Sequence, residues 1–112
     1  MNDSIKIPDD FLLIVAQEGV SLEREGVSEI ALTSEAAVRA IEILGVAHVA
    51  IKGGEVWERG GDRFKPTYDG WNLERKDYGS ENDYVEASLE AAKKLASFYA
   101  SRDGDFYITL GL

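Results

Sequence analysis

The side chains of this chain that could do chemistry are few and scattered. His48 is the lone histidine. The alternation in Val46-Ala47-His48-Val49-Ala50-Ile51-Lys52 predicts a strand, with Ala47, Val49 and Ile51 on one face and His48 on the other. A single imidazole cannot hold zinc without carboxylates to complete the set, so His48 is expected to be structural or solvent-facing. Cysteine is absent, which removes disulfides, thiolate metal sites and a thiol nucleophile together. No serine sits in a nucleophile-elbow pattern. Gly53-Gly54 and Gly60-Gly61 fit neither dinucleotide nor phosphate-loop spacing, and neither pair opens a helix. Carboxylates are plentiful, but their spacing is uninformative. Glu55 and Glu58 point to opposite faces of one strand, Asp9-Asp10 suits a helix start, and Asp103 and Asp105 lack the remaining ligands of a calcium loop. The chain is therefore expected to have no catalytic residue, no metal and no cofactor.

The segment richest in recognition chemistry is Pro66-Thr67-Tyr68-Asp69-Gly70-Trp71-Asn72-Leu73-Glu74-Arg75-Lys76-Asp77-Tyr78. Its aromatics stand among carboxylates and cations, the residue types that anchor protein interfaces. Trp57, Tyr68, Asp69, Trp71 and Glu74 are the candidate partner-binding residues. The plain alternative is that Tyr68 and Trp71 plug the core beneath a long loop, with their polar tips at the rim. Stacking on single-stranded nucleic acid would need a basic groove. The chain instead carries a net charge of −9, from 21 acidic and 12 basic residues. Phosphate contacts supply most nucleic-acid affinity, so nucleic acid is an unsuitable partner. A basic protein is a suitable one, although solubility alone also accounts for an acidic surface.

The elements that must position these residues can be read from period and punctuation. Pro8-Asp9-Asp10 opens a first helix that Gly19 stops, with Leu12, Val15 and Ala16 sharing a face. Val27 to Leu32 is a short strand or an irregular entry. Thr33 or Ser34 caps a second helix, Glu35 to Leu44, whose buried stripe is Ala37, Val38, Ile41 and Leu44. Glu35, Arg39 and Glu42 lie outside it, spaced to pair, and Gly45 ends it. The strand Val46–Lys52 is expected to turn at Gly53-Gly54 into Glu55–Arg59 as a hairpin. Gly60-Gly61-Asp62 makes a second turn, and Pro66 confines the third strand, Arg63–Lys65, to an edge or an end. An aromatic loop follows, Thr67 to Gly79. Ser80 with Asp83 caps a long helix to about Ala100, with Val85, Leu89, Ala92, Leu95, Ala96 and Tyr99 inward. Phe106 to Leu110 alternates as a last strand, with Phe106, Ile108 and Leu110 inward. The expected fold is α+β: an antiparallel sheet of about four strands, with two to three helices packed mainly on one face.

A length of 112 residues with 45% apolar content suits one domain over 1–112, able to bury a core without staples. Met1–Lys6 lacks the pattern of a secretory signal, and no apolar run approaches the roughly 18 residues of a membrane helix. A cytoplasmic protein with no membrane contact is expected.

Gly53-Gly54-Glu55-Val56-Trp57, Pro66-Thr67-Tyr68-Asp69-Gly70-Trp71 and Tyr84-Val85-Glu86-Ala87-Ser88 on a long helix together resemble the immunity protein 40 family. Ile30-Ala31-Leu32-Thr33 before a helix and the closing Phe106-Tyr107-Ile108 extend the resemblance over most of residues 27–110. Where the family's string often continues with an aromatic and a cysteine, Asn72-Leu73 stand here. The resemblance implies a small bacterial protein, encoded beside a polymorphic toxin, that binds and neutralises that toxin. It implies no catalytic residues. If the toxin is a nuclease, its substrate face would be basic and would match this charge. The protein is expected as a monomer or weak homodimer. Two other readings stand beside this one. The first is a structural or oligomerising module that pairs through an exposed strand edge. The second is a small-ligand binder or hydrolase built on clustered carboxylates in an apolar pocket.

Overall fold

Proline at a helix entrance and two acidic residues behind it start the first helix, α1 (Asp9–Glu18). A computed structural model describes residues 7–112 of the chain; the expectation drawn from Met1–Lys6 lies outside the described residues. After α1 come β1 (Val20–Ser21), a short 3-10 turn (Glu23–Glu25), β2 (Ile30–Thr33) and α2 (Ser34–Val46). Then follow β3 (Gly53–Gly60), β4 (Arg63–Asn72), a second 3-10 turn (Arg75–Asp77), α3 (Glu81–Ala100) and β5 (Phe106–Thr109). The caps of α2 and α3 are those the sequence predicts. Thr33 Oγ1 accepts from Ala36 N at 3.1 Å, and Ser80 Oγ accepts from Asp83 N at 3.1 Å.

Among the described residues the strands form one antiparallel sheet of five, in the order β1-β2-β5-β3-β4. The fold is α+β as expected, with one strand more than the expected four. The last strand in sequence lies at the centre, so all of β5 is buried. Leu32, Ile108 and Val56 stand side by side across β2, β5 and β3. They face the helices and join Phe11, Ala37, Ala40, Ile41, Leu44, Ala92 and Ala96 in the main core. Tyr107 and Trp57 alternate with them onto the opposite face, where Leu22, Ala31 and Phe64 complete a smaller cluster. The segment after β1 covers that cluster. Glu25 clamps it to β4, accepting from Arg63 Nε and Nη2, each at 2.9 Å, and from Phe64 N at 3.0 Å.

The expected hairpin across Gly53-Gly54 does not form. α2 runs through Gly45 to Val46 and ends in a Schellman turn. In it Val49 N bonds Leu44 O, His48 N bonds Gly45 O, and His48 takes the left-handed conformation at φ 58°. His48 is thus an exposed cap residue, not a strand centre. Val49 and Ile51 are buried in the main core from an irregular segment. The backbone of this segment finds partners outside any ladder. Ile51 N bonds Ser88 Oγ at 3.0 Å, Lys52 N bonds Gly111 O at 2.7 Å, and Leu73 N bonds Lys52 O at 2.8 Å. Gly53 and Gly54 lie inside β3, paired with Asn72 and Trp71. The hairpin that does form is β3–β4, closed at Gly60-Gly61-Asp62, where Gly61 has φ 66°.

Thr67–Asn72 is strand, not loop, and β4 is the sheet edge on which Pro66 is tolerated. On α1 the buried residue is Phe11, flanked by half-buried Ile14 and Val15, while Leu12 and Ala16 face out. The spacing i, i+3, i+4 fits either set, and the larger aromatic takes the core. Arg39 pairs with Glu18 of α1 at 2.8 Å rather than with Glu35 or Glu42. α3 adds Tyr84 and Ser88 to its buried face, with Leu89 and Leu95 half-buried.

Candidate functional site

The P-T-Y-D-G string folds as a bulge on the sheet edge. Glu55 pairs with Gly70 and Trp57 with Pro66, so Val56 alone opposes Thr67, Tyr68 and Asp69. The threonine and aspartate side chains replace the missing ladder. Thr67 Oγ1 donates to Val56 O at 2.8 Å and accepts from Asp69 N at 3.2 Å. Asp69 Oδ1 accepts from Gly70 N at 2.9 Å, and Asp69 Oδ2 accepts from the Tyr99 hydroxyl at 2.8 Å. Tyr99 is buried, and its hydroxyl pKa is raised, first by that burial and then by donating to Asp69.

Tyr68 is thereby held at φ 66° and is 94% exposed. A bulky non-glycine residue in the left-handed region costs of order 1–3 kcal/mol and persists only where its surroundings impose it. Here the imposing contacts are the four bonds to Thr67 and Asp69, and they project the phenol into solvent.

An open groove of about 610 Å3 borders the bulge. Its floor is mostly backbone, at Gly53, Gly54, Gly70 and Gly111. Tyr68, Trp71 and Asn72 line it, together with the carboxylates Glu29, Glu55 and Asp69, and no lysine or arginine does. The ion pairs among the described residues engage Glu18, Glu25, Asp62, Glu74, Glu81 and Asp105. Glu29, Glu55 and Asp69 take part in none of them.

The candidate residues thus divide. Tyr68, Asp69 and Trp71 meet at the groove. Trp71 is half-buried, packs on the main core, and donates its indole N–H to Ile51 O at 3.2 Å. Glu74 is exposed beyond the groove, 3.2 Å from Lys76. Trp57 is 6% exposed in the smaller core, and its indole Nε1 has no partner there. Leaving that donor unmet costs roughly 1–3 kcal/mol, less than the about 3–5 kcal/mol lost when a core tryptophan is truncated. Packing therefore decides where Trp57 lies. The sequence reading missed Tyr99 as the brace of the bulge and Glu29 as part of the groove. The T-x-D-G spacing is a side-chain turn signature that points to the bulge. Glu29 has no local signal.

These features define an acid-rimmed, aromatic-bearing surface on a small α+β fold. No set of three or more histidine, cysteine, aspartate or glutamate residues among the described residues is placed to hold a metal ion. None of their helices is long and apolar enough to cross a membrane. The immunity protein 40 family profile matches residues 21–112, and the chain belongs to that family. No curated protein matches the chain, and no solved structure does.

Proposed function

We propose that this chain is a cytoplasmic immunity protein that binds a cognate toxin and covers its active site with the surface around the β4 bulge. The observation that carries the reading is Tyr68: almost wholly exposed, held at positive φ, and set beside a groove whose carboxylates form no ion pair among the described residues. Family membership supplies the class of partner. Tyr68, Asp69, Trp71 and Glu74 are the contacts, and Trp57 supports β3 from within. A net charge of −9 speeds encounter with a basic face, such as the substrate-binding face of a nuclease, and less so as salt rises. Nothing in the mechanism requires turnover; occlusion suffices.

The test is co-expression and co-purification with the product of the gene immediately upstream. The wild-type chain should bind it and protect cells from it. Tyr68→Ala should weaken binding by about 2 kcal/mol or more, roughly thirtyfold, while leaving the thermal melt in place. A purified wild-type chain that neither binds that product nor protects against it ends the proposal.

A further inference from the structure

A second groove, of about 370 Å3, opens where α1 meets the sheet. Phe11 and Val15 of α1, Ile30 and Leu32 of β2, and Leu110 and Leu112 near the chain end line it. Ile30 is 45% exposed and Leu112 is 38% exposed. Glu29 and Gly111 line both this groove and the acidic one beside the bulge. The two are therefore one continuous surface, apolar at one end and anionic at the other, with Glu29 at the join. An aliphatic residue left half in water on a strand gains free energy only when something covers it. The carboxylate beside it pairs with no cation among the described residues.

We infer that this apolar groove seats aliphatic or aromatic side chains of the toxin, from a segment whose neighbouring lysine or arginine meets Glu29. The inference rests on the toxin-binding reading and specifies the chemistry of the bound segment. The charge of the join selects that occupant: an acidic or purely apolar segment would leave the Glu29 carboxylate unpaired at the edge of a covered surface. Glu29 then sets register and encounter, and the apolar end governs how slowly the complex comes apart.

The experiment is calorimetric titration of the full chain with the product of the upstream gene, for wild type and three variants. Ile30→Ser with Leu112→Ser should weaken binding about tenfold or more. Glu29→Gln should weaken it less, by an amount that shrinks as salt is added. Glu90→Gln, on the outer side of α3, should bind as wild type does. Hydrogen exchange should slow at residues 29–32 and 110–112 in the complex. Should the double variant unfold, Ile30→Thr retains a β-branched strand residue and carries the same test. If wild-type affinity persists in the double variant and residues 29–32 gain no protection, the inference is overturned. The toxin-binding reading then still stands on Tyr68→Ala. The inference also falls if the wild type self-associates, the double variant is monomeric, and toxin affinity is unchanged, since a second copy is then the occupant.

Discussion

Ser88 shows how much one small polar side chain holds in this fold. It is fully buried on α3, where its hydroxyl donates to Val85 O at 2.9 Å and accepts from Ile51 N at 3.0 Å. Ile51 is itself fully buried, so no water can replace that acceptor. Ser88→Ala should lower unfolding free energy by about 1–3 kcal/mol, because a buried N–H is left without a partner. Ser101→Ala, at an exposed helix end, should change it by less than about 0.5 kcal/mol. Urea denaturation of both variants checks the contrast; equal effects would remove Ser88 from its role as anchor of the irregular segment. The same segment sets the angle of Trp71, whose indole N–H bonds Ile51 O. A loss at Ser88 should therefore also be felt at the groove.

Among the elements, the β3–β4 pair matters most, because it carries the bulge on one strand and the groove floor on the other. Gly54 is required by packing, not by a turn. A Cβ there would lie 2.1 Å from Thr109 O and 2.5 Å from Trp71 Cη2. The first is backbone of the central strand and cannot give way. Gly54→Ala should destabilise by about 1–3 kcal/mol, as overpacking does, and should shift the Trp71 fluorescence. Gly45, inside α2 with open space around its Cβ position, should respond with the opposite sign. Gly45→Ala should gain about 0.5–1 kcal/mol. Thermal and chemical melts of the pair test this reassignment of Gly53-Gly54 from turn to strand. The edge that β4 presents is also poorly suited to pairing with another chain. Pro66 lacks an N–H, and the bulge turns Tyr68 out of the ladder.

For the whole molecule, acid is the informative stress. The Glu25 carboxylate, 11% exposed, has its pKa lowered from 4.5 to about 2, first by the Arg63 N–H donors and then by Phe64 N–H. Because the folded value is depressed, the stabilisation is complete above the unfolded value of 4.5 and is lost as pH falls toward about 2. That carboxylate ties the segment after β1 onto β4 across the smaller core, so its protonation should loosen the cover over Trp57, Phe64 and Tyr107. Melting temperature followed from pH 7 to 2 should drop steeply in wild type between those two pKa values. Glu25→Gln should start lower at neutral pH and converge with wild type at the acid end. Parallel curves would show that Glu25 does not couple folding to pH.

What the sequence determined by itself is what neighbours in the chain decide. Thr33 and Ser80 mark helix starts by capping a backbone N–H three residues on, and Pro8 marks one through its fixed φ. The alternation over Phe106–Thr109 marks a strand because a pleat has period two, and Pro66 marks an edge because it lacks a donor. The chemistry of the surface, acidic and aromatic around Tyr68, was also legible as residue types. Tertiary structure alone decided the rest. Val46–Lys52 alternates like a strand, yet its first half closes the end of α2 on Ile43, Leu44 and Gly45, and Ile51 and Lys52 find their partners in Ser88, Gly111 and Leu73, far along the sequence. β5 lies between β2 and β3, where both its faces are buried. The groove exists because that order brings Glu29, Gly111 and the β4 bulge together. No local pattern encodes such a meeting, since it depends on which distant backbone groups and side chains satisfy one another once water is excluded.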